Sequence, residues 1–594
     1  MEYLIAITLG PVQEFIASAR RFRDFFAGSR LLSEAAASAA LSVAKAIGPQ
    51  NLIFPAPESL EELKTLGEAG IPNVLLAKVP SGFDPIQLGE EALEAAKAYL
   101  KEKAEEAFGP YREHLRFQEA LEQVEDLLEG YYAYLPLQGG YAETRRRLMA
   151  LLAARKTTRD FRPVSWGAPL YKSSLDGARE SVLAFRGNEA RLRLRLGLRE
   201  GEHLSGPDLL KRLWEAPPFL SATHAAALPF WQGVKARGAQ RVLEEALGEV
   251  ANLMDKEDRG VPVREARHPV LRNTPFARFD VRLLYETRLE EFPSLAEDPG
   301  RLEEARRRLS RLWEELRKRK VKAPPGTYYA LLLGDGDRMG KTIDQQDSPE
   351  VHRALSRRQA LEFAQEVGKI VAEHQGGLIY SGGDDVLAVL PLHTALRAAW
   401  ALAQRFQEVM APYGQGGEAP SLSVGMAIVH HLEHLQDALE LVRRTEKVAK
   451  EGLPGGKEEE RKNALAVAYS PRSGSELTVR GRWDEAPRLT QRLYRYADLL
   501  RTDAVPAKAA YELWALLQEA EEFRLSEEAL LAEARRILGR KAMEKAYQEE
   551  LGLRLGGKTG VRRLTQELLL AQPLAEALEQ AAVPVESLEV WRAH

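Results

Sequence analysis

The chain has no cysteine, which excludes disulfides and any zinc site built on thiolates. No apolar stretch is long enough to span a bilayer, and the opening Met1-Glu2-Tyr3-Leu4-Ile5-Ala6-Ile7 lacks the basic flank and length of an export signal. The expected location is the cytoplasm, without membrane contact. Neither sign of charge dominates: 83 Lys and Arg stand against 87 Asp and Glu, a net charge of −4. Nucleic-acid contact would therefore come from local patches or be shared with partner subunits. What is present is the make-up of a globular protein, 45% hydrophobic and 29% charged. Its 594 residues are enough for about three or four domains with their own cores.

Two short stretches carry the chemistry. Leu331-Leu332-Leu333-Gly334-Asp335-Gly336-Asp337 is an apolar run that ends in two carboxylates. Tyr380-Ser381-Gly382-Gly383-Asp384-Asp385-Val386-Leu387 reads as a hairpin with two more at its tip. A lone strand-end aspartate often only caps the next helix, and a bare Gly-Gly-Asp-Asp is only a turn. The upstream Asp-x-Asp, one strand and one helix away, makes the pair specific. Hard oxygen ligands at neighbouring strand ends suit Mg²⁺ or Mn²⁺ holding a nucleoside triphosphate. Two such ions clamp the attacking and leaving oxygens of an in-line displacement. Asp335 and Asp384 are expected as principal ligands, with Asp385 as second ligand or helper for the attacking hydroxyl. Gly336 would supply a backbone carbonyl. Gly334, Asp337, Ser381, Gly382 and Gly383 would line the nucleotide. Lys447 or Lys450, in Arg443-Arg444-Thr445-Glu446-Lys447-Val448-Ala449-Lys450, would neutralise triphosphate charge, unless that helix end is simply solvated.

Periodicity places these stretches in a repeated unit. Residues 3–9 form a β-type run, Val12 to Ile47 is helical, 51–54 and 73–79 are strands, and 89–129 is helical. The order recurs with strand Tyr328–Leu333, helix Arg353–His374, hairpin Leu378–Tyr380 and Val386–Leu390, helix Thr394–Met410, strand Leu422–Val429 and helix Gln436–Lys450. Both begin a ferredoxin-like βαββα unit. Laying Leu9-Gly10-Pro11-Val12-Gln13 on Leu333-Gly334-Asp335-Gly336-Asp337 removes both carboxylates from the first copy. The expected class is α+β: two ferredoxin-like palms of the adenylyl cyclase type plus helical domains. The expected divisions are a degenerate palm at 1–165, a mainly helical domain at 166–322, a catalytic palm at 323–484 and a C-terminal helical bundle at 485–594.

With these residues in place, the chain resembles the large subunit of type III-B CRISPR–Cas (Cmr) effector complexes. The second palm carries the hairpin Gly382-Gly383-Asp384-Asp385 of that family. The opening also matches: Gly10-Pro11-Val12-Gln13-Glu14-Phe15-Ile16, Ala19-Arg20, Arg23-Asp24 and Gly28-Ser29, then Leu31-Leu32-Ser33-Glu34. The resemblance implies an RNA-guided antiviral complex whose large subunit, on binding target RNA, polymerises ATP into cyclic oligoadenylates. It implies a guide-RNA-binding neighbour subunit, a small helical subunit, CRISPR RNA and target RNA as partners. Many members begin with a histidine-aspartate nuclease domain. This chain starts at the first palm with no His-Asp dipeptide among eleven histidines, so DNase activity is not expected. Members often carry zinc on two Cys-x-x-Cys pairs. Here Lys172-Ser173-Ser174-Leu175-Asp176-Gly177 and Leu204-Ser205-Gly206-Pro207-Asp208-Leu209 resemble those knuckles without their cysteines, so the fold is expected without zinc.

The palm is also similar to diguanylate cyclases, whose Asp-x-Asp-x-Phe-Lys-x-x-Asn-Asp pattern falls on Asp335 to Asp344. The guanine-reading asparagine lands on Ile343, which removes hydrogen bonds guanine needs, while Asp344 stays as a nucleotide contact. ATP is the expected substrate. The rival readings are a non-catalytic, target-sensing scaffold and a free-standing cyclic-dinucleotide synthase. Weaker signals are His430-His431-Leu432-Glu433-His434, read as a surface or capping loop, and two basic stretches at 145–162 and 301–322. The first of these could meet RNA phosphates, and the second should be laced by i,i+4 pairs with its glutamates.

Overall fold

Two sheets organise the chain. A computed structural model describes all residues except 70, 72, 159–170, 185–192, 194–195, 197, 199–200, 216, 260–266, 415–418, 454–460, 473, 541–542, 544 and 585–594. The first sheet joins β1 (Tyr3–Gly10), β2 (Leu52–Phe54), β3 (Val74–Val79) and β4 (Glu129–Pro136) in the antiparallel order β2-β3-β1-β4. The second joins β5 (Tyr328–Gly336), β6 (Gly377–Gly382), β7 (Asp385–Leu390), β8 (Leu422–His430), β9 (Ala464–Tyr469) and β10 (Leu477–Arg482). Its order is β10-β9-β8-β5-β7-β6. The inner four, β8-β5-β7-β6, repeat the order of the first sheet, so the architecture is α+β with two ferredoxin-like palms and helical additions.

Three strands escape a reading by periodicity. Only Ala133 of β4 is fully buried, so its tyrosine-rich sequence shows no clean alternation. β9 is alanine-rich and runs parallel to β8, and β10 extends the sheet beyond it. In the first palm, β2 and β3 are joined through the Leu60–Ala69 helix rather than by a tight hairpin.

The second sheet is covered on both faces. Alternation along β5 sends Leu331 into one core and Ala330 and Leu332 into another. Leu331 packs in the core that holds the Phe22–Ile47 and Ala222–Ala236 helices. Leu332 shares its core with the Leu392–Met410 helix and with the C-terminal helices Leu489–Arg501 and Gly557–Gln580. All nine residues of β8 are buried, which explains its apolar run from Val424 to Val429.

The Arg-rich helix Pro299–Lys318 shows the expected pairing, with Arg308 on Glu304 at 2.9 Å, and Arg319 just beyond it reaches Glu315 at 3.2 Å. His430 and His431 are buried rather than on a surface loop. His431 packs on Tyr285 with ring centroids 4.4 Å apart, and His430 accepts from the Leu432 N–H at 3.1 Å. Among the described residues, no helix is long and apolar enough to cross a membrane.

Candidate active site

β5 runs further than its apolar sequence suggests. Asp335 still lies in the ladder opposite Ser423, and Gly336 lies opposite Leu422. The β6–β7 hairpin closes with Gly382 paired to Asp385, so Gly383 and Asp384 form the two-residue loop. Gly383 has φ +68°, as the first central position of a type II′ turn demands. Gly382 is required for a different reason: a Cβ there would lie 2.0 Å from the Tyr380 hydroxyl.

The turn carries Asp384 across to β5. A Cβ on Gly336 would sit 2.7 Å from Asp384 Cβ and 2.8 Å from its Oδ2. Gly336 is thus the floor on which Asp384 rests. Gly336→Ala should displace this carboxylate, lowering metal-dependent turnover by an order of magnitude or more while the thermal transition moves little. An unchanged rate would show that Asp384 does not need that floor.

The carboxylates feel one another. Burial, then the charge of Asp335, pushes Asp384 up to about 6. Burial, then Asp384 and Asp335, pushes Asp385 up to about 7. Lys450 Nζ forms an ion pair with Asp335 Oδ2 and lies 3.6 Å from Glu446 Oε1. Burial works against the Lys450 charge, but the hydrogen bond and charge of Asp335 outweigh it and raise its pKa. Glu446 is half-buried and raised chiefly by burial. Sequence reading passed over Glu446; its spacing four residues before Lys450 was the available signal.

The Leu435–Glu451 helix that carries both residues is fixed from two sides. At Gly425 of β8 a Cβ would come within 2.3 Å of Glu446 N, so the helix lies hard against the strand. From β10, Arg480 Nε donates to Val448 O at 3.0 Å, and its Nη2 donates to Ala449 O at 3.0 Å. The Arg480 guanidinium thereby supplies a donor to the Ala449 carbonyl in the last turn of the helix and adds a second donor to Val448 O, which the Gly452 N–H also reaches at 3.0 Å.

The remaining expected residues are distributed differently. Asp337 is 1% exposed. Its Oδ2 accepts from Ser421 Oγ at 2.7 Å, Ser423 Oγ at 2.9 Å and Asn463 N at 2.9 Å, and its Oδ1 from Ser423 Oγ at 3.0 Å. It ties the end of β5 to β8 and to the approach to β9, and its charge is felt at Glu446 and Lys450. Asp344 ends the Met339–Asp344 helix and pairs with Arg145 of the first palm at 2.7 Å. Arg145 also donates to Ile343 O at 2.7 Å, which commits one member of the 145–162 basic stretch to the seam between the palms. Arg159 and Arg162 lie outside the described residues. Lys447 is exposed and faces Glu451 at 3.9 Å. Gly334 lies within β5, opposite Val424 and Val386.

Ser381 is buried and its Oγ has no hydrogen-bond partner among the described residues. It lines a cavity of about 650 Å³ between the palms, with Tyr380 and Gln365 on one side and Ser29, Arg30 and Glu34 on the other. Arg30 and Glu34 pair at 3.2 Å, and Tyr99 donates to Glu34. The opening Gly28-Ser29 to Glu34 segment therefore forms the cavity wall opposite the hairpin.

The donors Asp335, Asp384 and Asp385 are all hard oxygens, with surplus negative charge that a divalent cation would relieve. Among the described residues, no group of three or more His, Cys, Asp or Glu is arranged as a ready-made metal cage. One or two carboxylates completed by substrate phosphates is the ordinary Mg²⁺ arrangement, and these residues fit it.

Comparison with known proteins bears on the same segments. The family described as Cas10/Cmr2, second palm domain, matches residues 328–466, the β5-to-β9 unit with its hairpin. That described as CRISPR-associated protein Cmr2, N-terminal, matches residues 4–109. Two segments of the chain thus match Cas10/Cmr2 domains. A Cas10/Cmr2 relative, the CRISPR system Cmr subunit Cmr2 of Pyrococcus furiosus, is 34% identical over 178 residues. That match spans 25% of this chain and 19% of the relative. Among solved structures, a type III-B Cmr-beta structure in the apo state is similar at TM-score 0.56 and 14% identity, covering 91% of this chain and 78% of the other. A Cmr-beta structure bound to cognate target RNA is similar at TM-score 0.51 and 13% identity, covering 80% and 71%. At such identities the likeness is one of fold.

Proposed function

We propose that the second palm is a nucleotidyltransferase that joins ATP into oligoadenylates and closes them into rings. The reading rests above all on Asp335, Asp384 and Asp385, brought together at the ends of paired strands with Lys450 beside them. Divalent ions held by these three carboxylates would neutralise charge on the α-phosphate and the departing pyrophosphate. The 3′-oxygen of one nucleotide bonds to the α-phosphorus of another, and the bond from that phosphorus to pyrophosphate breaks. Asp385 serves either as the second ligand or as the acceptor for the proton of the attacking hydroxyl. Lys450 is within reach to turn from Asp335 toward triphosphate oxygens. The cavity between the palms, with Ser381, Gln365 and Glu34 at its wall, offers donors and acceptors to a nucleobase.

The chain acts, in this reading, as the large subunit of a cytoplasmic type III-B effector complex. Its partners are a guide-RNA-binding neighbour and a small helical subunit, with CRISPR RNA and target RNA bound through the complex. The matches of residues 4–109 and 328–466 to Cas10/Cmr2 domains support this, as does the likeness to a Cmr-beta fold solved with target RNA.

The test is to give radiolabelled ATP and Mg²⁺ to the guide-loaded complex, with and without complementary RNA. Product should appear only with target RNA and fall to background in an Asp384→Ala, Asp385→Ala complex. A complex that binds target RNA and makes no product would leave a scaffolding subunit.

A further inference from the structure

The two cysteine-less knuckles, near Ser173 and Ser205, meet in the structure. Each contributes a Ser-x-x-Asp pair: Ser173 and Asp176 from one, Ser205 and Asp208 from the other. Asp208 Oδ2 accepts from Ser173 Oγ at 2.6 Å and from Ser205 Oγ at 3.0 Å, and Ser205 Oγ lies 3.3 Å from Asp176 Oδ2. The backbones interlock too, with Ser174 N donating to His203 O at 2.7 Å and His203 N to Ser174 Oγ at 3.0 Å. Four side chains spaced as two pairs thus converge from two loops.

These donors do not suit structural zinc, which takes thiolate and imidazole. Two of the four are hydroxyls that stay protonated and are spent donating to carboxylates. A positive charge is nonetheless built in. Lys211 Nζ lies 2.9 Å from Asp208 Oδ1, with side-chain exposures of 0% and 1%. The same ammonium donates to Phe15 O at 2.9 Å, to Ser18 Oγ at 2.8 Å and to Ser18 O, and it lies over the Phe15 ring at 4.7 Å. Gly28 lets the lysine stem pass: a Cβ there would lie 3.1 Å from Lys211 Cδ. A buried ammonium is tolerated only when its protons find partners and its charge a counter-charge, and both conditions are met here.

We propose that Lys211, paired with Asp208, supplies to these knuckles the positive charge that a metal cation would otherwise bring, forming a metal-independent clasp. Asp208 is its hub, holding the serines on one oxygen and Lys211 on the other. Through Lys211 the clasp fastens the knuckles to the Phe15–Ser18 segment of the first palm. The fastening is electrostatic and hydrogen-bonded, so chelators do not open it.

The test uses the full chain and zinc itself as the probe. After incubation with excess zinc and dialysis, the wild-type chain should retain no stoichiometric metal, and EDTA should leave its thermal transition in place. Lys211→Met should lower the transition by several degrees, and adding Asp208→Asn to that variant should recover much of the loss, because the stranded carboxylate is then gone. If Lys211→Met alone fails to fold, the double variant must still be the more stable of the two. One retained equivalent of zinc, a transition unmoved by Lys211→Met, or a double variant no better than Lys211→Met would each overturn the clasp.

Discussion

Replacing Arg212 with Ala should be among the most damaging single changes in the chain, at about 3–5 kcal/mol. Arg212 lies beside Lys211 in the Gly206–Leu213 helix and is 1% exposed on its side chain. Its Nε and Nη2 donate to Asp24 at 2.8 and 2.7 Å, and Nη2 also donates to Glu202 at 3.2 Å. Asp24 is wholly buried and Glu202 nearly so. Alanine would leave the wholly buried Asp24 carboxylate without its guanidinium and out of reach of water, and that desolvation, more than the lost attraction, sets the size of the effect. The control is Arg212→Met with Asp24→Asn, which removes charge from both sides and should recover a large part of the loss. Denaturant unfolding of each variant checks this. Equal stability of wild type and Arg212→Ala would mean that water reaches the pair.

The second large effect is an acid sensitivity traceable to His393. This residue opens the Leu392–Met410 helix, is 5% exposed and has no hydrogen bond to either ring nitrogen among the described residues. Burial, with Arg397 adding to it, pushes its pKa down to about 3. The folded chain therefore keeps this ring neutral, while the unfolded chain binds a proton near the ordinary value of about 6.5. Stability from this site is complete above that ordinary value and drains away as pH falls toward about 3. The drain is about 1.4 kcal/mol per pH unit, so roughly 2 kcal/mol is lost between pH 6.5 and pH 5. His393→Phe should flatten the dependence by that slope in denaturant titrations across this window. Parallel curves for the two proteins would show that water reaches the ring.

The features legible in sequence were those with a strong local cause. β5 shows because an apolar run ends in charge, and the hairpin shows because a two-residue turn demands glycine. The features that stayed hidden depend on distant partners. Arg23-Asp24 is visible as part of a signature, but the reason for Asp24 lies 188 residues away in Arg212. Asp337 looks equivalent to Asp335 two residues earlier, yet it is consumed by Ser421, Ser423 and Asn463, none of them near it in the chain. Asp344 sits where a nucleotide contact would, and Arg145 from the other palm claims it. His430 and His431 look like a solvated loop until Tyr328 and Tyr285 pack on them. β4 and β9 lack alternation because one is barely buried and the other is small-residue filler between neighbours.

The strand that carries Asp335 is a partition wall. Its odd and even residues belong to separate cores, one reaching into the first palm and the other into the C-terminal helices. An excised second palm would open one side of this wall to water and expose Leu331, Ala427 and Val429 together. The unit that can fold around the carboxylates is therefore larger than the domain that holds them. Truncations meant to isolate that domain would report on a damaged wall, and loss of turnover in such fragments would say nothing about which residues do the chemistry.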